Sequence, residues 1–119
     1  MTRFFFRLLS IGYIASIFVF AASPMIADLA RFNPQSLLHI PLYGILTFLL
    51  AFSISPYSTH LTHSTYSTRL IFPGVIALTV AIADEIHQAY VPGRNASAVD
   101  VFLDVVGIAL CLFILWRLQ

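Results

Sequence analysis

Lysine is absent from this sequence, and charge of either sign is scarce: six arginines, five acidic residues and a net charge of +1 in 119 residues. With no basic stripe or run, the electrostatic footprint of a nucleic-acid partner is missing. Cysteine is almost absent too. The lone Cys111 excludes an internal disulfide, and no Cys or His spacing matches a zinc motif, so spacing assigns no metal ligand. Charged residues amount to 9%, where a soluble domain carries about 25%. A chain this short has too much surface to hide from water a composition that is 60% hydrophobic. A soluble domain is excluded, and lipid is the solvent implied.

What is present fits that solvent. Residues 8–26, 37–54, 70–90 and 99–118 are long and largely apolar, against about 17–25 residues needed to cross a hydrocarbon core. The second run is the shortest and could be extended back to Pro34. The pattern predicts an all-α polytopic membrane protein, a bundle of four transmembrane helices forming one domain over residues 1–119. No soluble domain and no internal repeat remain.

The connectors carry recognisable local chemistry. Asn33-Pro34 reads as an N-cap with proline at the first helical position. Val91-Pro92-Gly93-Arg94 places Pro then Gly at the centre of a type II turn. Ser97-Ala98-Val99-Asp100 reads as a capping box with Asp in place of Glu. Residues 55–68 read as a solvated polar loop, since His60 and His63 have no acidic or thiol companion. Asn95-Ala96-Ser97 fits a glycosylation pattern by chance. Pro41 frees the carbonyl of Leu37 and is expected to kink the second span.

Arginines orient the spans. Arg3, Arg7, Arg69 and Arg117 fall on one side, Arg31 and Arg94 on the other. This bias predicts both termini in the cytoplasm. The rival reading of the first run is a secretory signal peptide ending at Ala21-Ala22-Ser23, but the run is long for one, and Pro24 is awkward after a cleavage point.

Four carboxylates lie inside the last two spans: Asp84, Glu85, Asp100 and Asp104. In an antiparallel bundle all of them fall near the outer ends. Glu85 lies roughly 7 Å below Tyr90, and Asp104 roughly 10 Å below Ser97. His39 enters at similar depth from the second span. Faces agree with depths at about 100° per residue. Asp100, Asp104, Gly107 and Cys111 share a stripe, as do His39, Tyr43, Thr47 and Ala51. Gly74, Ala77, Ala81, Asp84/Glu85 and Gln88 form a third. Small residues on these stripes let membrane helices approach closely, so the polar groups are expected to point into the bundle.

An Asp at mid-helix costs about 2.5–3.5 kcal/mol on insertion scales, so four unpaired acids would cost on the order of 10 kcal/mol. Arg94 is the one fixed cation nearby, with His39 a second when protonated. The deficit requires protonated carboxyls, water, or a bound cation or cationic ligand. Structural alternatives stand beside this: Asp100 as the capping partner of Ser97, Asp84 turned to the headgroups, His39 as a packing histidine, and Cys111 as an inert buried thiol. His87 points nearly opposite Glu85 and is expected outside the cluster.

The ordered set His39 with Tyr43, Glu85-x-x-Gln88, Pro92-Gly93-Arg94, Asp100 and Gly107 resembles the VanZ-like family of small bacterial membrane proteins. The resemblance covers about residues 36–111, with the first span similar in character only. Gln35-Ser36 stands where the family usually has Asp-Lys, Asp104 where it has Asn, and Cys111 where it often has Gly, which makes this cluster more acidic than the family pattern. The resemblance implies a bacterial inner-membrane location in the cell envelope and a link to teicoplanin resistance; it implies no established reaction.

Two functions compete at this point. The first is an outward-facing polar site, built from His39, Tyr43, Asp84, Glu85, Gln88, Arg94, Asp100 and Asp104, that binds or modifies an envelope or lipid-linked molecule. Its acids would act as acid/base groups or ligate Mg²⁺ or Ca²⁺, and Arg94 would hold a phosphate or carboxylate. Pro92, Gly93 and Gly107 shape and pack it. The second is a non-enzymatic accessory subunit meeting other membrane subunits. An ion pathway is disfavoured because acids occupy only one end of the spans. Neither a reaction, a catalytic residue nor a cofactor is named by the sequence, and the partner it does imply is membrane lipid.

Overall fold

The computed structural model describes residues 2–23, 37–54 and 63–118. Four α-helices run through them: α1 (Thr2–Ala21), α2 (His39–Ile54), α3 (His63–Ala89) and α4 (Ala98–Arg117). Three are long and apolar enough to cross a membrane. The fourth, α2, has 16 residues, about 24 Å at 1.5 Å per residue, and a 3₁₀ turn at residues 37–38 extends it. No strand occurs among the described residues. The bundle measures 50 Å along its longest axis, enough for a bilayer of about 40–45 Å with its headgroups.

Polarity is turned inside out relative to a water-soluble domain. Phe4, Ile11, Val19, Phe72 and Phe102 are exposed, while Thr47, Asp84, Glu85, Gln88 and Asp104 are buried. Large exposed apolar surface costs nothing against lipid, and polar groups escape lipid only by facing one another. The apolar core draws on all four helices: Ile17, then Tyr43, Leu46 and Leu50, then Ala77 and Ala81, then Ile108. Central α2 packs against each of the other three. Its apolar residues have no preferred side, as expected of a helix surrounded by neighbours.

Two glycines set the geometry. Gly107 on α4 lies against the backbone of Ile40 on α2, and a methyl group there would overlap the Ile40 carbonyl. Gly93 has φ +81°, and the Arg94 N–H donates to the Val91 carbonyl at 3.1 Å. Together these are the type II turn expected of Pro92-Gly93, and it brings α4 back along α3.

The boundaries differ from the sequence reading in three places. Helix α1 begins at Thr2 and ends at Ala21, because Phe4–Phe6 continue its apolar run and Ser23 precedes Pro24, which disfavours helix at that residue. Helix α3 begins at His63, so the loop expected over residues 55–68 is helical from residue 63. Ser and Thr cost only about half a kcal/mol each, and a helix nucleated in the apolar segment gains one bond per added residue. Pro41 falls in the first turn of α2, where its missing N–H interrupts no helical bond. The interior proline is Pro73 of α3, fully buried. The expected Asn33-Pro34 cap, a start of the second span at Pro34, Pro24, Arg31 and His60 lie outside the described residues.

Candidate functional site

The three polar stripes meet at one end of the bundle, where α2 and α4 start and α3 stops. From α2, His39 Nδ1 and Asp104 Oδ1 of α4 lie 2.7 Å apart. With Asp104 ionised, Nδ1 is the donor of this pair and Nε2 is the remaining ring nitrogen. Asp104 is fully buried. One α2 turn further, Tyr43 stacks on His39 with centroids 6.4 Å apart, and its hydroxyl donates to Asp84 Oδ2 at 3.3 Å. Gln88 Nε2, one α3 turn beyond Asp84, donates to the same oxygen at 3.0 Å. Arg94 then donates from Nη2 to Gln88 Oε1 at 2.8 Å. The chain Arg94–Gln88–Asp84–Tyr43 thus ties the turn after α3 to the second turn of α2.

Glu85 does something the sequence did not disclose. Its Oε2 accepts the backbone N–H of Ser97 at 2.8 Å, the residue that caps α4. Ser97 makes no side-chain cap bond, and the capping box expected of Ser97 and Asp100 is not formed. Glu85 has taken the role that Asp100 would have filled, since an N-cap N–H is one of the few backbone donors a helix leaves free. Asp100, released from capping, lies with His39 and Glu85 instead: one donor atom from each falls within 4.8 Å of the others. Asp84 is likewise buried in the bundle rather than turned to the headgroups.

Satisfaction of the acids is incomplete. Asp84, Glu85 and Asp104 are each held through one oxygen, and among the described residues their buried second oxygens have no hydrogen-bond partner; the same holds for Asp100 Oδ1. Arg94 makes no ion pair with a described carboxylate. Among the described residues its bond is to the neutral Gln88 amide, so its charge is not cancelled within the cluster.

Beside the acids lies a cavity of about 280 Å³ between α1, α2 and α3. Ile17, Phe20, Ala21 and Leu42 form apolar wall, and His39, Asp84, Gln88 and Arg94 give it a polar end. The part of α1 was not foreseen, because nothing in its uniformly apolar sequence marks one face as a wall. His87 sets its ring edge-on to Phe18 of α1 at 5.5 Å, and its buried Nδ1 has no hydrogen-bond partner among the described residues. Cys111 is a half-buried free thiol.

The model of the VanZ/LLP1 family matches residues 15–119. The chain belongs to the VanZ/LLP1 family. No curated protein and no solved structure matches it. The family match reaches back into the second half of α1, beyond the stretch whose motifs carried the resemblance. Within this VanZ/LLP1 member, the motif residues His39, Tyr43, Glu85, Gln88, Arg94 and Asp100, separated by up to 61 positions in sequence, converge on one end of the bundle, with Gly107 beneath them holding α4 against α2.

Proposed function

We propose that this membrane protein binds an anionic, lipid-linked envelope molecule, with its acyl or prenyl part in the cavity between α1, α2 and α3 and its phosphate or carboxylate on Arg94. The observation that carries the reading is the cavity itself, apolar along Ile17, Phe20 and Leu42 and polar where His39, Asp84, Gln88 and Arg94 close it. A guanidinium offers five N–H donors in a planar fork suited to phosphate, and Arg94 commits one contact to Gln88. The arginine bias supports placing this end in the outer leaflet of a bacterial inner membrane with both termini in the cytoplasm. Outer-leaflet envelope precursors are then within reach, which is where the family's link to teicoplanin would act.

The direct measurement is binding of a prenyl phosphate to the purified full-length chain in nanodiscs, with a neutral lipid of equal length as the reference. Arg94→Ala should weaken the phosphate lipid about 10- to 100-fold, as expected for a charged hydrogen-bonded contact worth about 1.5–3 kcal/mol, and leave the neutral lipid unaffected. Equal affinity for both lipids would remove the reading. In cells, strains expressing wild type, Glu85→Gln or Arg94→Ala at equal abundance should differ in teicoplanin susceptibility. If instead the chain leaves mild detergent with a constant stoichiometric membrane partner and no lipid preference, the accessory-subunit role takes its place.

A further inference from the structure

We propose that His39, Glu85 and Asp100 form a binding site for a first-row divalent cation, with Asp104 as the residue that positions the histidine. The donors come from three helices and lie within 4.8 Å of one another. Around tetrahedral zinc, with bonds of about 2.0–2.2 Å, ligands are separated by roughly 3.3–3.6 Å. Side-chain adjustments of about an ångström therefore close the site.

The acids alone would not carry this. The independent observation is that Glu85 is only 5% exposed and its buried Oε1 has no partner among the described residues, nor has Asp100 Oδ1. Glu85 is already oriented, because Ser97 N–H holds Oε2 and leaves Oε1 for a ligand. His39 is oriented in the same way. Asp104 engages Nδ1 at 2.7 Å, which fixes the tautomer and leaves Nε2, the arrangement in which a carboxylate raises the basicity of a metal-binding imidazole. Two ligand carboxylates balance a dication, which relieves the excess of acids over Arg94, the one arginine at this end among the described residues.

Donor chemistry selects the ion. Mg²⁺ and Ca²⁺ favour sites made wholly of oxygen, whereas imidazole with carboxylates suits Zn²⁺, Mn²⁺ or Fe²⁺. This departs from the oxygen-only ligation that the acids suggest when read without His39. Three protein ligands leave a coordination position open, as in catalytic rather than structural zinc sites. The proposal deepens the reading of the amphiphile site and rests on it for the ion's setting, since His39 belongs to both the triplet and the cavity.

The test uses the full-length chain in mild detergent, stripped with a chelator and titrated with Zn²⁺, Mn²⁺ and Co²⁺ without added prenyl lipid. Wild type should take up one ion per chain, and Co²⁺ should give absorption bands of an imidazole-ligated site. Glu85→Gln keeps an acceptor for Ser97 N–H and Asp100→Asn keeps its shape, yet each should weaken binding at least 10-fold and shift the Co²⁺ bands. Asp104→Asn should weaken binding about 10- to 100-fold with band positions unchanged, the signature of positioning. His87→Gln and His60→Gln should bind as wild type does. A wild-type chain without a stoichiometric ion overturns the proposal even if every variant fails to fold, and so does unchanged affinity in a folded Glu85→Gln/Asp100→Asn chain. Because no lipid is added, ion binding without later lipid selectivity rejects only the amphiphile reading, and the reverse rejects only this one.

Discussion

Ser10, Thr47 and Ser53 donate to carbonyls three or four residues earlier on their own helices, at 2.8, 2.7 and 2.9 Å. Away from the acid cluster, the bundle is closed by apolar Ala51, Leu70 and Leu115, with a 3.4 Å contact from Arg7 Nε to the Ser53 carbonyl. At the other end Tyr43, Gln88, His39 and the N–H of Ser97 reach carboxylates across helices, except for the Gln88–Asp84 bond within α3. The contrast follows from what each group can do. A Ser or Thr hydroxyl, on its short side chain, carries its own proton and satisfies itself on the helix it belongs to. An ionised carboxylate accepts only, and a helix interior has no spare N–H to give it. Ser and Thr can therefore be buried before helices meet, while acids become tolerable only when other elements bring donors. Oxygens that lack donors among the described residues, on Asp84, Glu85, Asp100 and Asp104, mark where packing alone does not account for the residues.

The largest expected effect breaks the comparison at its acid end. Asp104→Ala removes the partner of His39 inside the bundle and should cost about 3 kcal/mol, in the range for breaking a buried pair. Asp104→Asn, which still offers Oδ1 to Nδ1–H, should cost less than half as much. Unfolding midpoints in mild detergent measure both. Equal losses would mean that volume, and not the hydrogen bond, matters at this position. Next comes Gly107→Ala, which forces α4 off the Ile40 backbone and should cost about 1–3 kcal/mol as an overpacked contact. It should also disturb His39 through the shift of α2.

Much of this site was legible because its chemistry repeats at helical spacing. His39/Tyr43, Glu85/Gln88 and Asp100/Asp104 each declare a face, and Pro92-Gly93 declares the turn that returns α4 along α3. Two features were not legible. Glu85 caps α4 across a turn, and no spacing rule joins residues 85 and 97 because the partner is a backbone N–H that carries no sequence identity. The cavity wall from α1 depends on which side of an evenly apolar helix meets α2, and Ile17 looks like its neighbours until the bundle is assembled. The start of α3 at His63 was hidden for a related reason: polar residues beyond a span read as loop, although a nucleated helix can run on through them.

A smaller change sharpens the contrast within one residue. Tyr43→Phe deletes the donor to Asp84 Oδ2 and leaves the ring packed in the core. Gln88 continues to hold that oxygen, so the expected loss is about 1 kcal/mol, the worth of one ordinary hydrogen bond. A loss several times larger would show that Asp84 depends on the tyrosine more than on the amide.

Ser53→Ala should be the mildest of all. Among the described residues its hydroxyl bonds the Leu50 carbonyl alone, which the helical backbone can satisfy by itself, and removing donor and side-chain acceptor together strands neither. The deletion of one oxygen from a buried position leaves little space to refill, so the unfolding midpoint should correspond to a change within about 0.5 kcal/mol. Ser53 is nonetheless as buried as Asp84, both at 2% exposure. Burial by itself therefore predicts similar sensitivity at the two positions, and the reach of the hydrogen bond predicts a clear difference. Ser53→Ala measured beside Asp84→Ala in the same detergent separates these accounts: comparable losses would make depth the controlling variable and dissolve the distinction between the two ends.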